Sequence, residues 1–175
     1  MRASRPIRFE RPSGLLPTEI DEIAGQLASE LAPSPDLSIT SVVARLGGSI
    51  LLSKTLPDES AIGSLSISRA ENSFVISVPA TFDAALHRYL VSKELGHYFL
   101  HHLLSSRRMN EPFTLSANDE AEIFALCFLM PKADFERRYY EKNTSPEILA
   151  SYYHVPRFAV EKRAQLIPER QVETA

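Results

Sequence analysis

Residues 88–102 read RYLVSKELGHYFLHH, and residues 119–131 read DEAEIFALCFLMP. Both runs read as helices. The first belongs to the longest helical stretch of the chain, from about Phe82 to Leu104. The second runs from about Asn118 to Phe128 and stops near Pro131, which cannot continue a helix. Lys93 and His97 stand i,i+4, as do His97 and His101, so each pair shares a helical face. Asn118 and Glu122 share a face on the second helix in the same way. Glu120 lies about 200° from the Asn118 face, and His102 points about 100° away from His101.

Working outward, Pro17-Thr18 precedes EIDEIAGQLASEL, whose apolar residues Ile20, Ile23, Ala24, Leu27 and Leu31 have helical spacing. Thr18 is the expected N-cap, with an acidic first turn. A second helix is expected from Asp36 to Leu46, ended by Gly47-Gly48. Three strand-like runs follow: SILLS (49–53), IGSLSIS (62–68) and SFVISV (73–78). The last two alternate and are joined by RAEN, a hairpin signal. Beyond Pro131, Ala133 to Glu141 reads as a short helix, and the stretch from Ser145 reads as two short helices turning near His154-Val155-Pro156. The expected class is α+β: N-terminal helices, a small, mainly antiparallel three-stranded sheet, and a helical half ending in a helix-turn-helix-like pair.

The composition sets limits on function. The chain has 175 residues, a net charge of −3 and 44% hydrophobic residues, which suits one globular domain. A pI near 6.0 argues against a dedicated nucleic-acid binder. The single cysteine, Cys127, excludes an internal disulfide and a cysteine-rich zinc finger, so the chain reads as reduced and cytoplasmic. Any metal must be held by His and carboxylates. Arg2, Arg5, Arg8 and Arg11 precede no apolar stretch, so no secretory signal is read. No apolar run is long enough for a membrane span. The expected organisation is a flexible basic arm (1–17), a main domain (18–143), a helical pair packed on it (144–168) and a tail (169–175).

ELGHYF at 94–99, His101, Ala121, Phe124-Ala125 and Leu129-Met130-Pro131, in this order after a small sheet, resemble the ImmA/IrrE family of zinc metallopeptidases. The resemblance covers roughly residues 18–168. It implies a zincin-like scaffold in bacterial or phage regulators, many of which act on a helix-turn-helix repressor. It also implies a site in which two His at i and i+4 and a Glu from the next helix hold zinc, leaving a fourth position open for water. The Glu after the first His then acts as general base.

This sequence departs from that pattern. The first ligand position is Lys93, whose ammonium has three donors and no lone pair. The third, anchored by Ala121 and Phe124-Ala125, is Asn118, a neutral amide and a poor zinc ligand beside a carboxylate. Glu94, at the general-base position, and His97 remain, so no bound metal is expected and His97 is vestigial. The family's Asn or Asp four residues after the third ligand is Glu122 here. Lys93 is therefore expected to place its cation near the metal position and pair with Glu94 and Glu122, Asn118 also receiving it.

Other chemistries are weaker. His97 and His101, with His102 and Glu120 or Glu122, form an alternative metal set, against which the helical angles of Glu120 and His102 count. His87 reads as a surface or supporting residue. Cys127 reads as an inert core thiol, and Ser92 diverges from its neighbour Lys93. Arg157, Lys162 and Arg163 lie where a DNA-reading helix would carry basic residues, with Glu161 interrupting them. The leading expectation is a catalytically degenerate, peptidase-like regulator that binds a protein partner, a repressor-type transcription factor being the candidate. An active zinc endopeptidase with divergent ligands is the first alternative, and a DNA-binding regulator is the second.

Overall fold

A computed structural model describes residues 11–31, 34–54, 63–68, 73–104, 115–142 and 144–167. Two helices come first, α1 (Pro17–Leu31) and α2 (Ile39–Arg45). Three strands follow: β1 (Gly48–Ser53), β2 (Ser64–Ser68) and β3 (Ser73–Pro79). The remainder is helical: α3 (Ala84–Gly96), a π-helical segment (His97–Leu103), α4 (Ala117–Leu129), α5 (Lys132–Tyr139), α6 (Pro146–Tyr153) and α7 (Arg157–Gln165). The class is α+β, as expected.

The sheet has the order β1-β3-β2. β2 and β3 pair antiparallel, Leu65 opposite Ile76 and Ile67 opposite Phe74, as their alternation suggested. The RAEN turn itself lies outside the described residues. β1 pairs parallel to β3, Ser49 opposite Val75 and Leu51 opposite Ser77. The sheet is therefore mixed rather than mainly antiparallel. Burial explains the order: Phe74, Ile76, Ser77 and Val78 of β3 are buried, whereas Leu51 and Leu52 of β1 are exposed. The most apolar strand takes the centre.

Local chemistry sets the helix boundaries. Ser38 caps α2, accepting from the Thr40 amide, so the helix begins later than Asp36. Asp83 caps α3 through Leu86 N–H at 2.8 Å. Ser116 and Asp119 form a reciprocal capping box at the start of α4. Thr18 is not a cap: α1 starts at Pro17, and Glu19 accepts from the Leu16 amide at 2.7 Å.

α3 and α4 pack tightly. A Cβ at Gly96 would lie 2.9 Å from the Ala121 carbonyl and 3.1 Å from Phe124 Cβ, so only glycine permits this approach. Around the contact, Leu95, Leu100, Phe124, Ala125 and Phe128 are buried, with Phe99, Phe124 and Phe128 stacked in series. After Gly96 the helix widens, and Leu104 N–H reaches Phe99 O, five residues back. No helix among the described residues is long and apolar enough to cross a membrane.

Candidate functional site

α3, the π-helical segment and α4 bring most of the sequence-selected residues to one region, but on two separate faces. The first face is centred on Glu120, which is fully buried. Its carboxylate accepts from Ser13 N–H (2.7 Å), Ser13 Oγ–H (2.9 Å), Gly14 N–H (2.9 Å) and His101 Nε2–H (2.8 Å). Burial alone would push the Glu120 carboxyl up. The donors from His101, Ser13 and Gly14 outweigh it and hold the group below its ordinary value. Gly14 adopts φ 79°, a conformation that suits glycine, and so aims its amide at Glu120. The other side of the His101 ring faces His97, with the two Nδ1 atoms 3.1 Å apart. The wide π turn sets these i,i+4 rings side by side, as it does Tyr98 and His102.

The sequence grouped His97, His101 and Glu120 only as an alternative metal set and gave no role to Ser13 and Gly14, which bond Glu120. The helical angle set Glu120 apart from the Asn118 face, which is correct, but buried partners await it there. Ser13, inside the expected basic arm, is buried. The available signal was Ser13-Gly14 itself, a turn-forming pair ahead of the first helix.

The second face carries Lys93, Glu94 and Asn118, where the family resemblance implies metal and general-base positions. Lys93 is half-buried and Asn118 is exposed. Glu94 is half-buried against the start of β2, where a Cβ at Gly63 would lie 2.9 Å from Glu94 Oε1. Burial pushes the Glu94 carboxyl up to about 7, against the opposing pull of Lys93. His97 is pushed down to about 3 by burial, then by His101 and Lys93, with Glu120 opposing, so its imidazole is neutral at pH 7.

The expected ion pair between Lys93 and Glu122 is not formed. Glu122 Oε1 instead accepts from Tyr89 OH at 2.6 Å and pairs with Lys162 Nζ at 2.5 Å. The reason is tertiary: α7 brings Lys162 to the α4 face, and Phe158 packs edge-on against Tyr89. Lys93 still acts on Glu94, Glu122 and Asp119 through its field, lowering all three. No carboxylate among the described residues lies within ion-pair distance of it. Asp119 is already committed to Ser116.

The basic set on α7 does not form one exposed row. Arg163 is fully buried, donating from Nε to Met130 O (3.0 Å) and from Nη2 to Asp21 (3.0 Å), and so ties α7 to α1. Arg157 pairs with Glu147 and Glu161, and Lys162 pairs with Glu122. Of the remaining candidates, His87 bonds the Pro79 carbonyl. Cys127 is buried, which pushes its thiol up and makes it unreactive. Ser92 is buried with Oγ unpartnered among the described residues.

A small mixed sheet packs beside the paired α3 and α4, with Glu94 against the start of β2, and the class is α+β. The IrrE N-terminal-like domain, Peptidase M78, matches residues 52–165, and the chain belongs to that family. Comparison with curated protein sequences returns no match. Among solved structures, the chain is similar to a Mycobacterium tuberculosis transcriptional regulator. The identity is 18% and the TM-score 0.62, over 87% of this chain and 48% of that one. This chain thus spans about half the length of that structural neighbour, and the likeness supports the fold.

Zinc, the metal the family implies, does not fit these residues. One ligand position holds an ammonium and another a neutral amide on the outside of α4. The remaining imidazole, His97, is engaged at Nδ1 with His101. Among the described residues no three His, Cys, Asp or Glu side chains converge on a point.

Proposed function

We propose that this chain is a catalytically degenerate ImmA/IrrE-type regulator that binds a protein partner and performs no zinc-dependent proteolysis. A repressor-type transcription factor is the proposed partner. The observation that carries this reading is the donor set: Lys93 and Asn118 at two of the three ligand positions, and Glu122 drawn away to Lys162. Hydrolysis of a peptide bond by this scaffold relies on an activated water, and an ammonium cannot activate one.

An extended segment of the partner would lie along the outer edge of β2. Among the described strands β2 is at an edge, so its outward N–H and C=O groups can take another strand. Glu94 stands at the start of that edge, beside Gly63. Lys93, the half-buried cation of this face, offers a donor to a partner carbonyl or carboxylate. The structural neighbour's description as a transcriptional regulator supports a regulatory role.

Restoring the ligands tests the reading. Lys93→His with Asn118→Glu is expected to bind zinc where the native chain does not, as read by isothermal titration with zinc alone. A folded double variant that binds no zinc would contradict the assignment of the ligand positions. Zinc-dependent cleavage of a repressor by the native chain would establish the enzyme alternative.

A further inference from the structure

We infer that Lys93 is the receptor for an acidic side chain of the partner: where the family resemblance implies a metal, this chain takes an aspartate or glutamate carried on an extended segment. The inference rests on the proposed docking of that segment along β2, and it names the chemistry the segment brings.

Lys93 sits in the last turn of α3 and is half-buried. It makes no ion pair or hydrogen bond among the described residues. The carboxylates around it are engaged elsewhere. Glu122 is held by Lys162 at 2.5 Å and by Tyr89. Asp119 is spent on the amide and hydroxyl of Ser116. Glu94 lies against Gly63, just before β2. Lys93 and Lys162 both act on Glu122 and Asp119 through their fields, so the two ammoniums belong to one face. Glu122 satisfies Lys162 and leaves Lys93 without a counter-ion. A half-buried ammonium has lost part of its hydration, and a carboxylate that accepts from it restores the loss with a charge-assisted bond. A basic or apolar side chain at the same place would leave all three N–H donors unpaired.

The anion has to arrive on a partner. A single ion pair at this exposure contributes little by itself and is screened by salt, so a small free anion would be held weakly. The β2 edge supplies the remainder. It starts at Ser64, next to the contact of Gly63 with Glu94, and its outward backbone groups can carry the segment. The acidic side chain then sets register and selects the partner, which is what a charge at such a site does best.

The test selects short peptides from a randomised display library on the full native chain and on Lys93→Arg, Lys93→Gln and Lys93→Glu, each first shown to unfold cooperatively. The native chain is expected to enrich peptides with Asp or Glu at one fixed position. Lys93→Arg should keep that preference, Lys93→Gln should lose it, and Lys93→Glu should replace it with Lys or Arg. The Arg and Gln variants carry the test if the charge reversal does not fold. With a selected peptide, Lys93→Gln should weaken binding about tenfold in fluorescence anisotropy. Exchanging the peptide's acid for its amide should weaken the native chain by the same factor, and the two changes together should weaken binding no further. Selected peptides without an acidic position, or an acidic preference that survives in Lys93→Gln, would overturn the inference and leave docking along β2 standing. No enrichment at all would overturn that docking, and the inference with it. Acetate or phosphate alone binding the native chain and not Lys93→Gln would assign Lys93 to a free anion and would overturn it as well.

Discussion

Glu120 and Glu122 stand two residues apart on α4 and have opposite surroundings. Glu120 is fully buried and accepts four hydrogen bonds from the N-terminal segment and the π-helical turn. Glu122 is half-buried and shares one oxygen between Tyr89 and Lys162, whose side chain is 46% exposed. Both are glutamates on one helix, held below their ordinary pKa by donors that outweigh burial. One of them organises the core, whereas the other tethers a surface helix. The helical angle says which way each points; segments far away in sequence decide what it meets.

The largest expected difference between the two faces comes from truncating Glu120. Glu120→Ala leaves one buried and one half-buried amide, a hydroxyl and His101 without their acceptor and should cost about 3–5 kcal/mol. Denaturant unfolding measures it. A loss below about 1 kcal/mol would mean that the N-terminal segment contributes as little as an exposed ion pair.

The second face should show its character through pH. Burial raises Glu94 to about 7 from an ordinary 4.5. Between those values the folded chain keeps a proton that the unfolded chain has released, so the native state binds more protons than the unfolded one. Stability from this group is full below pH 4.5, falls as pH rises toward 7 and is level above that. Glu94→Gln stays neutral throughout. Its stability relative to the native chain should therefore improve as pH rises through that window, and a pH-independent difference would contradict the buried setting of Glu94.

The smallest effect belongs to the tether. Glu122→Gln removes a partly exposed ion pair and should cost about 0.2–1 kcal/mol, less at high salt. A loss approaching that of Glu120→Ala would erase the distinction between the two faces.

The sequence made the helices, the β2–β3 hairpin and the motif pairing legible, because periodicity and capping are local properties. It also exposed Lys93 and Asn118 at positions where the family resemblance implies metal ligands, since residue type is read directly. The parallel β1–β3 pairing was not legible, because β1 pairs with a strand that is not next in sequence and no local pattern carries that. Nor was the π turn after Gly96, which aligns His97 with His101. The reading of Lys93 with Glu122 failed because Lys162, 40 residues downstream of Glu122, reaches that carboxylate. Arg163 looked like a surface cation and is a buried staple, since Asp21 and Met130 O compensate it.

The central claim, that Lys93 and Asn118 leave this scaffold without a metal centre, is tested most directly by elemental analysis of the full native chain. The protein would be equilibrated with zinc and then passed through desalting. The expected result is zinc far below one equivalent, unchanged by His97→Ala. Zinc near one equivalent, lost on His97→Ala, would contradict it.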